Sequence, residues 1–92
     1  MRVIRDFVKN TFQFDLSHLD DKQLYELATR VLTTGPIGDR TFEEVYETVE
    51  EMAASMMLHL THLISDEDMR LLYNEMVVYE KSLKKTKINK LY

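Results

Sequence analysis

Two glycines and one proline are the strong helix breakers of this chain, and all three fall within Gly35-Pro36-Ile37-Gly38. An all-β fold needs many turns rich in such residues, so breakers confined to one short stretch favour long helices. The remaining composition agrees: 45% of residues are apolar and 30% charged, as in a globular domain. Ninety-two residues are too few to divide into separate cores, so residues 1–92 read as one all-α domain. The chain contains no cysteine, which excludes both a disulfide framework and a thiolate zinc site. No apolar run approaches the ~18 residues of a membrane span, and the start lacks a secretion signal. The expectation is a soluble protein of the cytoplasm that contacts no membrane.

Helical periodicity and capping signals divide the chain into about four helices packed as a compact bundle. Val3, Ile4, Phe7, Val8, Thr11 and Phe12 give a first amphipathic helix, with a strand as the fallback. Asp20 and Gln23 form a capping box for a second helix. Its buried stripe is Leu24, Leu27, Ala28, Val31 and Leu32, and Gly35 is expected to supply a left-handed stop. Thr41 and Glu44 form a second box, opening a long helix expected to run to about Ile64. From Met52 onward its apolar residues spread around the axis, which implies cover on most sides. A homodimer is expected to supply part of that cover through Met52, Met56, Met57 and Leu60. Ser65 caps a fourth helix, in which Met69, Leu72, Met76, Tyr79 and Leu83 step as a heptad-like seam. Residues 81–92 read as a basic C-terminal tail without clear periodicity.

The net charge of −4 conceals a segregated distribution. Between Asn10 and Glu80 there are fifteen acidic residues against Lys22, Arg30, Arg40 and Arg70, a local charge of −11. The nine residues before carry +2 and the twelve after carry +5. Glu43, Glu44, Glu47, Glu50 and Glu51 dominate the acidic part, and Asp66, Glu67, Asp68 and Glu75 extend it. The five glutamates span ~13 Å of helix axis, one per ~2.7 Å. Duplex DNA presents one phosphate charge per ~1.7 Å. Glu43/Glu47 and Glu47/Glu51 are like-charge pairs four residues apart, each costing ~0.2–0.5 kcal/mol, with no cation between Arg40 and Arg70 to relieve them. The ordinary explanation is a solvated helix start; the functional one is a carboxylate array imitating a phosphate backbone.

Other constellations carry less. His59, His62 and Asp66 stand at i, i+3 and i+7, a spacing that suits metal ligands on one helical face, but no second ligand-rich segment completes a tetrahedron. Ser17, Ser55, Ser65 and Ser82 lie outside any nucleophile-elbow context, and the Gly35–Gly38 stretch is too short for a phosphate loop. The reading is a non-enzymatic protein without metal or cofactor. Its basic tail, beside so acidic a body, gives no reason to expect direct nucleic-acid binding.

In length, masked acidity and lack of a catalytic motif, the whole chain resembles the small acidic DNA-mimic proteins of phages. Carried by Glu43, Glu44, Glu47, Glu50 and Glu51 with Asp66, Glu67 and Asp68, the resemblance is to the anti-restriction nuclease (Arn) family of T-even phages. It implies host-defence evasion by a homodimer shaped like duplex DNA, acting in the host cytoplasm. The implied partner is a host DNA-binding protein, either a restriction endonuclease or a nucleoid-associated protein. The basic tail departs from a uniformly acidic mimic. The alternative is a helical adaptor that binds a transcription factor or enzyme through an apolar groove of Met69, Leu72, Met76 and Tyr79.

Overall fold

A computed structural model describes the backbone of residues 1–90 and the side chains of residues 1–84. Among the described residues there are five helices and no strand: α1 (Arg2–Phe12), α2 (Asp21–Val31), α3 (Phe42–Ser55), α4 (Leu60–Leu63) and α5 (Asp66–Lys90). The all-α expectation is met. The division into about four helices is corrected to five, because the long third helix breaks.

That break has a packing reason. Met56 and Met57 close α3 with a turn in which Met57 adopts φ 60, and Leu58 N–H donates to Ala53 O at 2.9 Å. The chain then reverses into the single turn of α4, which brings Leu60 to 3% exposure in the core. No glycine or proline marks the place. Leu60, Leu63 and Ile64 are drawn onto the core instead of continuing along a projecting helix, while Met56, Met57 and Leu58 stay exposed at the turn.

The signalled boundaries formed as read. Gln23 N–H donates to Asp20 Oδ1 at 2.8 Å, while Asp20 N–H donates to Gln23 Oε1 at 3.1 Å. Thr41 and Glu44 make the equivalent reciprocal pair at the start of α3. Asp68 N–H donates to Ser65 Oγ at 3.1 Å, capping α5. The stop after α2 differs in detail. Thr34 carries the left-handed conformation (φ 48), and Gly35 follows at φ 124 with its N–H on Thr29 O at 2.7 Å. The helical backbone of α5 continues to Lys90, so the basic segment extends that helix through residue 90; Leu91 and Tyr92 lie outside the described residues.

One core joins the elements. Ile4, Phe7 and Val8 of α1, Leu24 and Ala28 of α2, and Val45, Val49 and Ala53 of α3 meet Met69, Leu72 and Met76 of α5. Two glutamates of α5 fasten segments far away in sequence. Glu75 accepts Val3 N–H and Ile4 N–H, both at 3.0 Å, at the start of α1. Met1 makes no side-chain cap there, so α5 supplies the anion that the orphan amides and helix dipole favour. Glu80 accepts Ile37 N–H at 2.7 Å, Gly38 N–H at 3.0 Å and the Tyr25 hydroxyl at 2.8 Å. This holds the loop that buries Ile37. Arg40 completes the loop by donating to Gly35 O and Pro36 O at 3.0 and 2.7 Å.

Candidate functional site

The amphipathicity of α3 places its acids outward. At ~100° per residue, Glu43, Glu44, Glu47, Glu50 and Glu51 fall within an arc of about 120°, opposite Val45 and Val49. All five are exposed. Glu44 also serves the capping box, accepting from the Thr41 hydroxyl at 3.2 Å, so its charge stays at the surface while its geometry is fixed.

A hydrogen bond joins this face to the start of α5. The Tyr46 hydroxyl donates to Asp66 Oδ1 at 3.1 Å. That bond raises the Tyr46 pKa above the ordinary phenol value, because ionisation would set two negative oxygens together; desolvation and the charges of Asp66 and Glu50 act the same way. Glu43, Asp66 and Glu67 line a cavity of about 500 Å³ with Phe42, Tyr46 and Arg70. Its floor is aromatic and its rim acidic. Arg70 lies over the Phe42 ring at 4.2 Å from the centroid, a cation–π contact that places one positive charge among the acids.

The nine acidic residues named from sequence therefore separate into three groups. Glu43, Glu44, Glu47, Glu50, Glu51, Asp66 and Glu67 belong to the α3 face and the adjoining cavity. Asp68 is turned toward α1, where it lines a smaller cavity with Arg2 and Asp6. Glu75 is half-buried and committed to the amides of α1. Lys81 and Lys84 are exposed fifteen or more residues along α5 from Asp66, ~22 Å or more of helix axis.

The residues expected at a dimer contact are also divided. Leu60 is consumed by the core and Met52 is half-buried. Met56 and Met57 sit at the exposed turn, Met57 at 93% exposure. The residues of the adaptor reading are divided more sharply. Met69, Leu72 and Met76 are fully buried within the monomer, while Tyr79 is half-buried against Tyr25 and lines a surface cavity with Leu71 and Val78.

The break after Ser55 removes the histidine ladder. His59 precedes α4, His62 lies within it and Asp66 begins α5, bonded to Tyr46. The imidazoles meet edge to face at 5.3 Å between centroids. Among the described residues, no group of three or more His, Asp or Glu side chains is placed to hold a metal ion. No helix among them is long and apolar enough to cross a membrane.

Sequence reasoning did not find the roles of Glu75 and Glu80, whose partners lie 42 to 72 residues away. Tyr46 followed by an acid twenty positions on is no recognisable local signal either. Comparison with known proteins finds no matching family model, no matching curated protein and no matching solved structure.

Proposed function

We propose that this protein is a non-enzymatic inhibitor that occupies the DNA-binding surface of a basic host protein, a restriction endonuclease or nucleoid-associated protein, with its acidic α3–α5 face. The observation that carries the reading is the single outward face formed by the α3 glutamates with Asp66 and Glu67. These carboxylates are all exposed, and Lys81 and Lys84 lie fifteen or more residues along α5 from Asp66. Asp68 and Glu75 are left out of this surface because the fold turns them toward α1.

The mechanism is electrostatic substitution. A DNA-binding groove attracts phosphates through lysine and arginine, and carboxylates held on a rigid helix present the same sign to the same cations. Association is steered over long range and weakens as salt screens the charges. In the cavity beside Phe42 and Tyr46, where Arg70 already lies over the Phe42 ring, Glu43, Asp66 and Glu67 leave a net acidic lining for an incoming cationic side chain.

The test is competition for DNA held by a nucleoid-associated protein and, separately, by a modification-dependent restriction endonuclease, each read at low and high salt. The expected result is competitive displacement that fades steeply as salt rises. Reversing Glu47, Glu50 and Glu51 together to Lys abolishes displacement while helicity is retained. Displacement that survives this reversal, or that ignores salt, refutes the reading.

A further inference from the structure

The starts of α1 and α2 both reach one side of α5 and leave a groove between them. Glu75 holds the first amides of α1, and one turn further along α5 Tyr79 meets Tyr25 of α2 with ring centroids 4.8 Å apart. The groove is a cavity of about 490 Å³ walled by Met1 and Val3 on one side and by Leu71, Val78 and Tyr79 on the other. Leu71 is 42% and Val78 65% exposed, on the same side of the helix. A single apolar side chain in water is ordinary, but two that share a cavity wall with Val3 and Tyr79 form a patch. Of the four residues assigned to an apolar groove from sequence, Tyr79 alone reaches this one; Met69, Leu72 and Met76 belong to the core.

The Tyr79 end of the groove is acidic. Asp21 lines it, and Asp20 and Glu26 stand nearby; all three are exposed. Desolvation first, and then the charges of Asp21, Asp20 and Glu26, raise the Tyr79 pKa above the ordinary phenol value. Glu75 also lines the groove, but its oxygens are taken by the amides of Val3 and Ile4. Among the described lining residues Arg2 is the cationic side chain, and it is shared with the neighbouring cavity of Asp6 and Asp68.

We infer that this groove receives an amphipathic helix of a partner protein, its apolar stripe on Leu71, Val78 and Tyr79 and its lysines or arginines beside Asp21 and Glu26. Length, wall geometry and charge pick that occupant. The lining residues of α5 run from Leu71 to Ser82, ~16 Å of axis or about three helical turns. The walls are helices, whose ridges of side chains accept the ridges of another helix. An extended peptide would need a sheet edge, and there is no strand among the described residues. The amides at the start of α1 that could pair with one are already held by Glu75. The exposed acids of α2 attract a basic flank and repel an acidic one, which fixes the sign of the partner.

The inference is independent of the inhibitor reading. At ~100° per residue, Leu71 and Val78 lie roughly 80–140° around α5 from Asp66 and Arg70. None of the groove residues belongs to the acidic α3–α5 face.

Fluorescence polarisation of labelled synthetic helices of about sixteen residues, titrated with the full chain at physiological salt, tests it. All carry leucines; one has them as a helical stripe flanked by lysines, a second has the same stripe flanked by glutamates, and a third scrambles the first. The lysine-flanked helix is expected to bind roughly tenfold tighter than either of the others. Val78→Asp or Leu71→Asp weakens it roughly tenfold while the thermal midpoint holds, because both side chains are exposed. Asp21→Lys combined with Glu26→Lys turns the preference toward the glutamate-flanked helix; Asp20 is kept because it caps α2. Reversing Glu47, Glu50 and Glu51 to Lys, which removes the inhibitory face, changes the affinity by no more than about threefold. The proposal is overturned if the scrambled or glutamate-flanked helix binds as well, if Val78→Asp has no effect, or if the α3 reversal abolishes binding. Sedimentation of the free chain supplies the remaining check: self-association that Val78→Asp abolishes would give the groove to a second copy and overturn it too.

Discussion

Glutamates on two helices of this protein have opposite fates. Glu75 and Glu80 of α5 are half-buried and between them accept four backbone N–H groups and a tyrosine hydroxyl. Glu47, Glu50 and Glu51 of α3 are exposed on the outer face of their helix. The same carboxylate is a structural anion where orphan amides converge on it and a free surface charge where none do. A carboxylate that receives several N–H groups exchanges hydration for directed bonds, and losing it leaves those donors without an acceptor. One that stays in water contributes little to stability and remains available to a partner. Acidity alone therefore does not separate scaffold from candidate interface; the hydrogen-bond partners do.

The sharpest way to break this contrast is Glu80→Ala. It leaves Ile37 N–H, Gly38 N–H and the Tyr25 hydroxyl without their acceptor, and should cost about 2–3 kcal/mol. For a domain of this size that is a fall of roughly 10 °C or more in the thermal midpoint, measurable by circular dichroism. An unchanged midpoint would place Glu80 with the α3 glutamates.

Tyr25 sharpens the same contrast through pH. Desolvation comes first in raising its pKa above the ordinary phenol value, followed by the hydrogen bond to Glu80 and the nearby negative charge. The folded state therefore holds the Tyr25 proton to higher pH than the unfolded state. The stabilisation is fully present below about pH 10, the phenol value in the unfolded chain, and is lost progressively as pH rises from there toward the folded value. Tyr25→Phe should lower stability at neutral pH by ~1 kcal/mol and flatten the alkaline decline. Urea titrations at neutral pH and above pH 10 separate the two effects.

The smallest stability effect belongs to α3. Replacing Glu47, Glu50 and Glu51 with Gln removes the like-charge pairs Glu43/Glu47 and Glu47/Glu51, and should stabilise the chain by roughly 0.5 kcal/mol. The same variant should bind a DNA-binding partner far more weakly. A marked loss of stability in urea would instead show that these carboxylates hold the fold.

Much of the secondary structure was legible because its signals are local. Asp20/Gln23 and Thr41/Glu44 join side chains and amides three residues apart, and Ser65 caps across the same distance, so sequence spacing alone places them. The outward face of α3 was equally legible, since helical period fixes which residues oppose Val45 and Val49. The break at Met56–Met57 was not. Every residue there tolerates a helix, and only the packing of Leu60 into the core reverses the chain. The same reversal dismantled the expected histidine face and left Met57 outside.

The sequence alone determined the helical class, the capped helix starts and the concentration of charge between Asn10 and Glu80, because each depends on neighbours within about one helical turn. Tertiary structure decided which acids remain at the surface. Asp66 joins the α3 face through Tyr46, Asp68 turns toward α1, and Glu75 and Glu80 bind amides distant in the chain. For Glu75 and Glu80 the outcome depends on which backbone donors lack a local acceptor, for Asp66 and Asp68 on which side chains face them, and both are settled only when remote helices pack together.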